Sequence, residues 1–272
     1  MTGQRRNQCT ASLMRGVLVA LFHLLLVTGP ADAACALSGT SRTGGNLVRL
    51  DDHGDVVLSD GRIGKLRGIR MLKHDGDGTD PLAADIAMVL QPWRGQGQVA
   101  VVTALPQDRW GRVPIHLADD GTTAGDDLAL QFVRHGFAMV WPMELPPNCR
   151  NQYLQAEEAA RRRGLGRWTQ MQHRVLDAAN GSDVALRAGQ VSVVQGRVNH
   201  VGQTRRATYL NFGAARVGAS AELGLASWRD LERQGWTRET LRGKLVRVRG
   251  VVAEGRPARV LIGDVSALEI LN

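Results

Sequence analysis

The chain has 272 residues, a formal net charge of +8 at pH 7 and 43% apolar residues. This length is enough for two domains with hydrophobic cores, and the apolar content excludes a disordered chain. The positive charge favours phosphates, anionic lipid headgroups or acidic polymers as partners, although the arginine-rich surface of an ordinary soluble protein gives the same balance.

The N-terminus has the pattern of a secretory signal peptide. Arg5, Arg6 and Arg15 precede an apolar run at 17–28, and small residues follow up to Ala33. The run has 12 residues, fewer than the ~20 that span a bilayer as a helix. We therefore expect cleavage after Ala33, a periplasmic or secreted protein, and no stable membrane span afterwards. An uncleaved N-terminal membrane anchor is the alternative.

Two cysteines remain when Cys9 leaves with the signal peptide. In an exported chain, Cys35 and Cys149 suggest one disulfide bond. In the chain-entropy model, closing a loop of this length is worth on the order of 4–5 kcal/mol. Two unrelated thiols are the alternative interpretation.

Alternating apolar residues predict a β-meander at the start of the mature chain, with two strands in 47–59 and a third over 63–72. A short helix is predicted over 81–91, with Asp80 as its cap. Four further features follow: strands at 99–105 and 113–118 around a hairpin turn at 107–112, a helix at 126–135, a strand at 137–141 and a helix at 151–163.

The second half of the chain is predicted to be β-rich, with one helix at 227–235. The predicted organisation is a signal peptide (1–33), a first domain (34–168), a linker (169–189) and a second domain (190–272).

Two groups of side chains in the predicted elements bear on nucleic-acid binding. Arg247 and Arg249 alternate along one predicted strand and so share a face, which fits either a phosphate-contacting stripe or an ordinary solvated face. Bases could stack on Trp110, Trp141, Trp168, Tyr209 and Phe212, although such residues more often fill a small core. Aromatic residues make up only 4% of the chain, which argues against an efficient platform for single strands.

Five short motifs follow one another in the first half: Asp60-Gly61-Arg62, Leu66-Arg67-Gly68-Ile69, Asp108-Arg109-Trp110-Gly111-Arg112, Gly136-Phe137-Ala138-Met139-Val140 and Arg163-Gly164-Leu165-Gly166-Arg167-Trp168. In this order they resemble the thermonuclease (staphylococcal nuclease-like) family. The chain also resembles an exported bacterial subgroup with paired cysteines and an added β domain, through segments 209–213 and 245–250. The resemblance implies an α+β, mainly β fold: a five-stranded OB-type barrel with about three helices, then a small β-rich domain for which an OB-like fold is an option.

Active members of this family hydrolyse phosphodiesters with bound Ca²⁺. Carboxylates hold the metal and position the attacking water, and two arginines neutralise the phosphoryl oxygens. Here Arg70 stands at the metal-ligand Asp position and Lys73 at the water-positioning Glu position. Lys65 replaces the first catalytic arginine, and Arg112 matches the second. Cations at 70 and 73 would repel Ca²⁺ and attract a phosphate.

We therefore expect Lys65, Arg70, Lys73 and Arg112 to bind phosphate, with no cofactor and with nuclease activity impaired or lost. The expected partner is nucleic acid or another polyanion, and the sequence predicts nothing about oligomeric state. For single residues simpler alternatives stay open: Arg112 as a surface hairpin arginine, and Lys65 as an edge-strand lysine.

Two other functions are compatible with the sequence. The first is an active phosphodiesterase whose Ca²⁺ site is rebuilt beside Arg112 from Asp52, Asp55, Asp75 or Asp77. Asp52 and Asp55 are the weak metal-ligand candidates, while Asp75 and Asp77 read more simply as part of a solvated loop. The second is a non-catalytic structural protein of the cell envelope.

Overall fold

The computed structural model describes residues 40–42, 45–74, 76–94, 98–103, 105–119, 127–214 and 217–271. The predicted signal peptide, Cys35 and Asp75 lie outside these residues. Residues Ala33–Asn272 cluster as one unit. Its architecture is mixed α+β, with many strands and a few helices, which confirms the coarse fold class predicted from the sequence.

The first half contains eight strands and three α-helices among its described residues. They are β1 (Thr40–Arg42), β2 (Leu47–Leu50), β3 (Val56–Leu58), β4 (Ile63–Leu66), β5 (Ile69–Met71), α1 (Ala83–Leu90), β6 (Gln98–Thr103), β7 (Val113–Asp119), α2 (Leu128–Arg134), β8 (Ala138–Val140) and α3 (Pro147–Arg162). Strands β2, β3 and β4 form an antiparallel meander, β4 pairs with β7 in parallel, and β6 lies antiparallel between β7 and β1. Strands β5 and β8 form a separate two-stranded sheet.

Helix α2 forms where the sequence predicts it, because both of its ends carry local signals. The Asp127 side chain caps the N-terminus by accepting a hydrogen bond from the Leu130 amide at 2.7 Å. Gly136 follows the C-terminus with a positive φ of 74°. The helix buries Phe132 and Val133 against the first core, which also contains Tyr153 of α3.

The strand predicted over 63–72 is wrong as a single element. The chain turns at Gly68, whose φ is +78°, so β4 ends at Leu66 and β5 starts at Ile69 in the other sheet. A side chain at position 68 would also clash with Leu145. A glycine inside an apolar alternating run is therefore the site of a sharp turn here, and it redirects Arg70 away from the line of β4.

The second half contains seven strands and three α-helices among its described residues. They are β9 (Leu176–Asp177), α4 (Gly181–Ala185), β10 (Val191–Gln203), β11 (Ala207–Phe212), β12 (Ser220–Gly224), α5 (Leu225–Arg233), α6 (Arg238–Leu241), β13 (Leu245–Ala253), β14 (Arg259–Ile262) and β15 (Leu268–Leu271). Strands β10, β11 and β12 form a meander, β12 runs parallel to β14, and β13 pairs with both β14 and β10. These pairings close a ring of five strands.

The residues predicted as a linker, 169–189, are folded onto the second half. Strand β9 and helix α4 lie within them, and Leu176, Ala178 and Val184 are buried in the second core. The same core contains Trp228 and Leu231 of α5 and the inward side chains of the five-strand ring.

A buried network of charges joins α3 to the second sheet. The Arg249 guanidinium donates to Glu157 of α3 and to Glu269 of β15, both at 2.7 Å. Arg249 and Glu157 are each 0% exposed. Arg161 also pairs with Glu157, so one buried carboxylate serves two arginines. A buried ion pair of this kind needs both partners, because either charge alone would be desolvated without compensation.

Arg247 extends this network towards the surface. It donates to Glu158 of α3 at 2.9 Å and to the Gln195 side chain of β10 at 2.8 Å. Arg247 and Arg249 do share a face, but that face is covered by α3. Neither the solvated face nor the phosphate-contacting stripe considered from the sequence is present, because the arginines have carboxylate partners from another part of the chain.

The Arg249→Met variant should lose about 3–5 kcal/mol of unfolding free energy, because the substitution leaves Glu157 buried with one fewer positive partner. Urea unfolding followed by tryptophan fluorescence measures the loss. Arg233→Met is the matched control: Arg233 pairs with Asp230 on the surface and is 76% exposed, so its change should stay within about 0.5 kcal/mol. Equal effects of the two substitutions would contradict the assigned role of the buried pair.

Candidate anion-binding site

Lys65 and Arg70 meet at a carboxylate that the sequence did not predict. Glu144 lies at the end of a 3₁₀ turn, Pro142–Glu144, that follows β8. Its Oε1 accepts from the Arg70 guanidinium at 2.7 Å and from Lys65 Nζ at 3.2 Å. Its Oε2 accepts from the Gly68 amide at 3.1 Å. Strands β4 and β5 thus converge on one anion that the protein itself supplies.

The electrostatics of Glu144 favour its charged form. The Glu144 side chain is 24% exposed, and burial by itself would raise its pKa. The hydrogen bond and charge of Arg70, with the charge of Lys65 and the Gly68 amide, outweigh burial and bring the pKa of Glu144 below its usual value. The carboxylate therefore stays ionised at neutral pH and neutralises part of the predicted phosphate-binding group.

Arg70 is held on three sides. Its guanidinium stacks over the Trp141 ring at 4.7 Å from the ring centroid, and it donates to the carbonyl of Ile69 at 2.9 Å. With Glu144 these contacts fix the side chain beside β8. An incoming phosphate would have to compete with all three.

Arg112 lies on the predicted hairpin and is also held by internal carboxylates. Its Nε donates to Asp108 at 2.8 Å and its Nη1 to Asp55 at 2.9 Å. The hydrogen bond that Arg112 donates to Asp108, together with the hydrogen bond to Asp55, raises the pKa of Arg112 despite partial burial. Asp108 Oδ1 also accepts from the Trp110 and Arg112 amides, which closes the turn at Gly111.

A small cavity of ≈ 140 Å³ connects these two clusters. Lys65 and Glu144 line one side of it, and Arg67, Asp108 and Arg112 contribute the other charged groups. The structure therefore brings together three of the four predicted phosphate ligands, namely Lys65, Arg70 and Arg112, but with carboxylates interleaved among them.

Lys73 lies apart from that group. Its exposed side chain lines a different and larger cavity, of ≈ 730 Å³, that also contains Asp52. Lys73 therefore does not share the cavity that Lys65 and Arg112 line, and its part in phosphate binding stays a prediction.

The geometry does not fit the Ca²⁺ site that the resemblance implies. Asp55 is bound to Arg112, while Asp52 is exposed and lines the cavity with Lys73. Asp77 is exposed, and Asp75 lies outside the described residues. Within the described ranges, no group of three or more His, Cys, Asp or Glu side chains is close enough to hold a metal ion.

The same hairpin carries an exposed aromatic side chain, which the sequence indicated only weakly. Trp110 is 62% exposed, whereas Trp168 is buried. The Arg109 guanidinium lies 3.9 Å from the centroid of the Trp110 ring, and that of Arg112 lies 4.8 Å from it. The D-R-W-G-R turn was the only available clue, since a tight turn presents its central side chains to solvent.

The chain matches no protein-family model and no curated protein. None of the helices in the described part of the chain has the length and hydropathy needed to cross a bilayer. Cys149 is buried, and its predicted partner Cys35 lies outside the described residues, so the disulfide bond stays a prediction.

Replacing Glu144 by Gln should destabilise the protein by about 1–3 kcal/mol at pH 7, because Arg70 and Lys65 lose a charged acceptor. The native pKa of Glu144 is lowered from its usual 4.5, so its contribution is complete above pH 4.5 and is lost as pH falls through the native pKa. Urea unfolding between pH 7 and pH 3 should show the two proteins converging in acid.

The exposed Glu232 provides the control for this series. Glu232→Gln should follow the wild-type protein at every pH within experimental error. If the Glu144→Gln and wild-type curves ran parallel into acid, the pairing of Glu144 with Arg70 and Lys65 would be wrong as a source of stability.

Proposed function

We propose that both halves are OB-type units and that the first is thermonuclease-like. The strand pairings support this proposal. In the second half the five strands of the ring are, in chain order, β10, β11, β12, β13 and β14. The first three form a meander, the third is parallel to the fifth, the fifth is antiparallel to the fourth, and the fourth pairs with the first. The first half has the same order, with β1 and β2 together in the place of the first strand.

We further propose that the protein acts outside the cytoplasm by binding single-stranded nucleic acid or a similar polyanion, with nuclease activity impaired or lost. The proposal rests on the exposed Trp110 ring, which has the guanidinium groups of Arg109 and Arg112 at 3.9 Å and 4.8 Å from its centroid. Aromatic rings stack on unpaired bases without regard to sequence, and neighbouring arginines contact the phosphates. A duplex offers no unstacked base to such a ring.

The pairing of the site cations supports loss of hydrolysis. Glu144 engages Lys65 and Arg70, and Asp55 and Asp108 engage Arg112. Each carboxylate near the site is thereby committed to a cation and is a poor ligand for Ca²⁺. We expect electrostatic attraction from Arg67, Arg109 and the rest of the basic surface to dominate affinity, so binding should weaken with salt.

The Trp110→Ala variant should bind a fluorescein-labelled single-stranded oligonucleotide about tenfold more weakly, since a base–aromatic stack is worth about 1–3 kcal/mol. Fluorescence anisotropy at low salt measures the affinity. Leu186→Ala is the control, because Leu186 is also a large apolar side chain on the surface, 80% exposed, and lies in the other half.

A digestion assay in Ca²⁺ and in chelator separates this proposal from its alternatives. We expect the oligonucleotide to stay intact in both. Ca²⁺-dependent cleavage that is abolished in Arg112→Ala would support the rebuilt nuclease and contradict the proposal. The absence of any affinity for oligonucleotide at low salt would also contradict it and would favour a structural envelope protein.

A further inference from the structure

A cavity beside helix α1 and the first core has the make-up of a ligand pocket. It encloses ≈ 730 Å³, within the range of roughly 300–1,000 Å³ that is typical of small-molecule sites. One wall is a face of α1, formed by Ala83, Ile86, Ala87 and Leu90. These positions follow the i, i+3, i+4, i+7 spacing of one helical face.

Arg167 borders this cavity and has unused hydrogen-bonding capacity. It is 3% exposed and pairs with Asp80 through one terminal nitrogen. Its Nε and Nη1 are buried and have no partner among the described residues. Buried guanidinium donors almost always have acceptors, and leaving them unpaired is costly. Arg167 lines the cavity, so an anion bound beside it would lie close to these donors and would contact them after a small shift of the side chain.

Further positive charge surrounds the cavity. Lys73 and Arg94 are exposed lining residues, and neither pairs with a carboxylate in the described ranges. The acidic lining residues are mostly engaged elsewhere. Asp51 accepts from the His53 and Asp55 amides, and Asp80 accepts from Arg167 and from the Leu82 amide. Asp52 is an exposed lining carboxylate as well. The described lining has four basic side chains, Arg49, Lys73, Arg94 and Arg167, against three carboxylates, Asp51, Asp52 and Asp80, so its charge is positive on balance.

The apolar part of the lining is aliphatic. Besides the α1 face, Leu50, Met71 and Leu72 contribute to it, and no Phe, Tyr or Trp is among the described lining residues. Pockets that take a nucleobase usually stack it on an aromatic ring. We propose that this cavity binds a small amphipathic anion, in which a phosphate or carboxylate group is attached to an aliphatic body. Arg167, Lys73 and Arg94 hold the head group, and the α1 face holds the body.

This pocket is separate from the Trp110 surface and does not rest on the function proposed for that surface. Hexyl phosphate and hexanoate are suitable probes, because they share the aliphatic body and differ in head group. Isothermal titration calorimetry with the purified protein should detect binding of at least one of them. Inorganic phosphate and hexanol, which each lack one half of the ligand, should bind at least tenfold more weakly.

The Ala87→Trp variant tests the location. Ala87 is exposed and lines the cavity, so an indole there should fill the pocket without disturbing the core and should reduce probe affinity at least tenfold. Arg94→Gln should also weaken the binding of each probe that binds to the wild-type protein. Ala84→Trp is the matched control, because Ala84 is exposed one turn earlier on α1 and does not line the cavity; it should bind as the wild type does.

Three results would overturn the inference. They are a lack of binding by both amphipathic probes, equal binding by Ala87→Trp and Ala84→Trp, and tighter binding of thymidine 5′-monophosphate than of hexyl phosphate. Oligonucleotide binding, measured on the same variants, should be unchanged in Ala87→Trp. The experiment therefore distinguishes a pocket that binds no probe from a protein that binds no nucleic acid.

Discussion

A buried arginine needs a carboxylate partner, and this constraint determines how the two halves of the chain pack against each other. Arginine stays protonated in proteins, so burial of its charge has to be offset by an anion. Arg249 is fully buried beneath α3 and pairs with Glu157 of that helix and with Glu269 of its own sheet. Glu157 in turn accepts from the Val140 amide at 2.5 Å. The strand β8, the helix α3 and the second sheet are thereby held in one arrangement.

The same pairing governs the candidate site. If the proposed resemblance to thermonucleases holds, Arg70 and Lys73 stand at positions where active members of that family have carboxylates that serve the metal site. In this structure a carboxylate from a different element is present at the site: Glu144, in the turn after β8, pairs with Lys65 and Arg70. The result is a nearly neutral centre. The exposed side chains that a polyanion could contact lie at its rim, at Trp110 and Arg109.

Features encoded by neighbouring residues could be predicted from the sequence, whereas features made by distant residues could not. The α2 cap at Asp127 and the hairpin closed by Asp108 depend on side chains within four positions of the groups they bond. Glu144 lies 74 residues from Arg70, and no local pattern reveals that pair. Alternation correctly placed Arg247 and Arg249 on one face, but which face is covered depends on α3, a helix of the other half.

Internal carboxylates neutralise the cations of the candidate site. The most direct measurement is the salt dependence of oligonucleotide binding by Glu144→Gln compared with the wild type at pH 7. Releasing Lys65 and Arg70 should tighten binding at low salt and steepen the slope of log K against log salt by about 0.7 for each cation that gains a phosphate. An unchanged affinity and an unchanged slope would show that Glu144 does not neutralise Lys65 and Arg70.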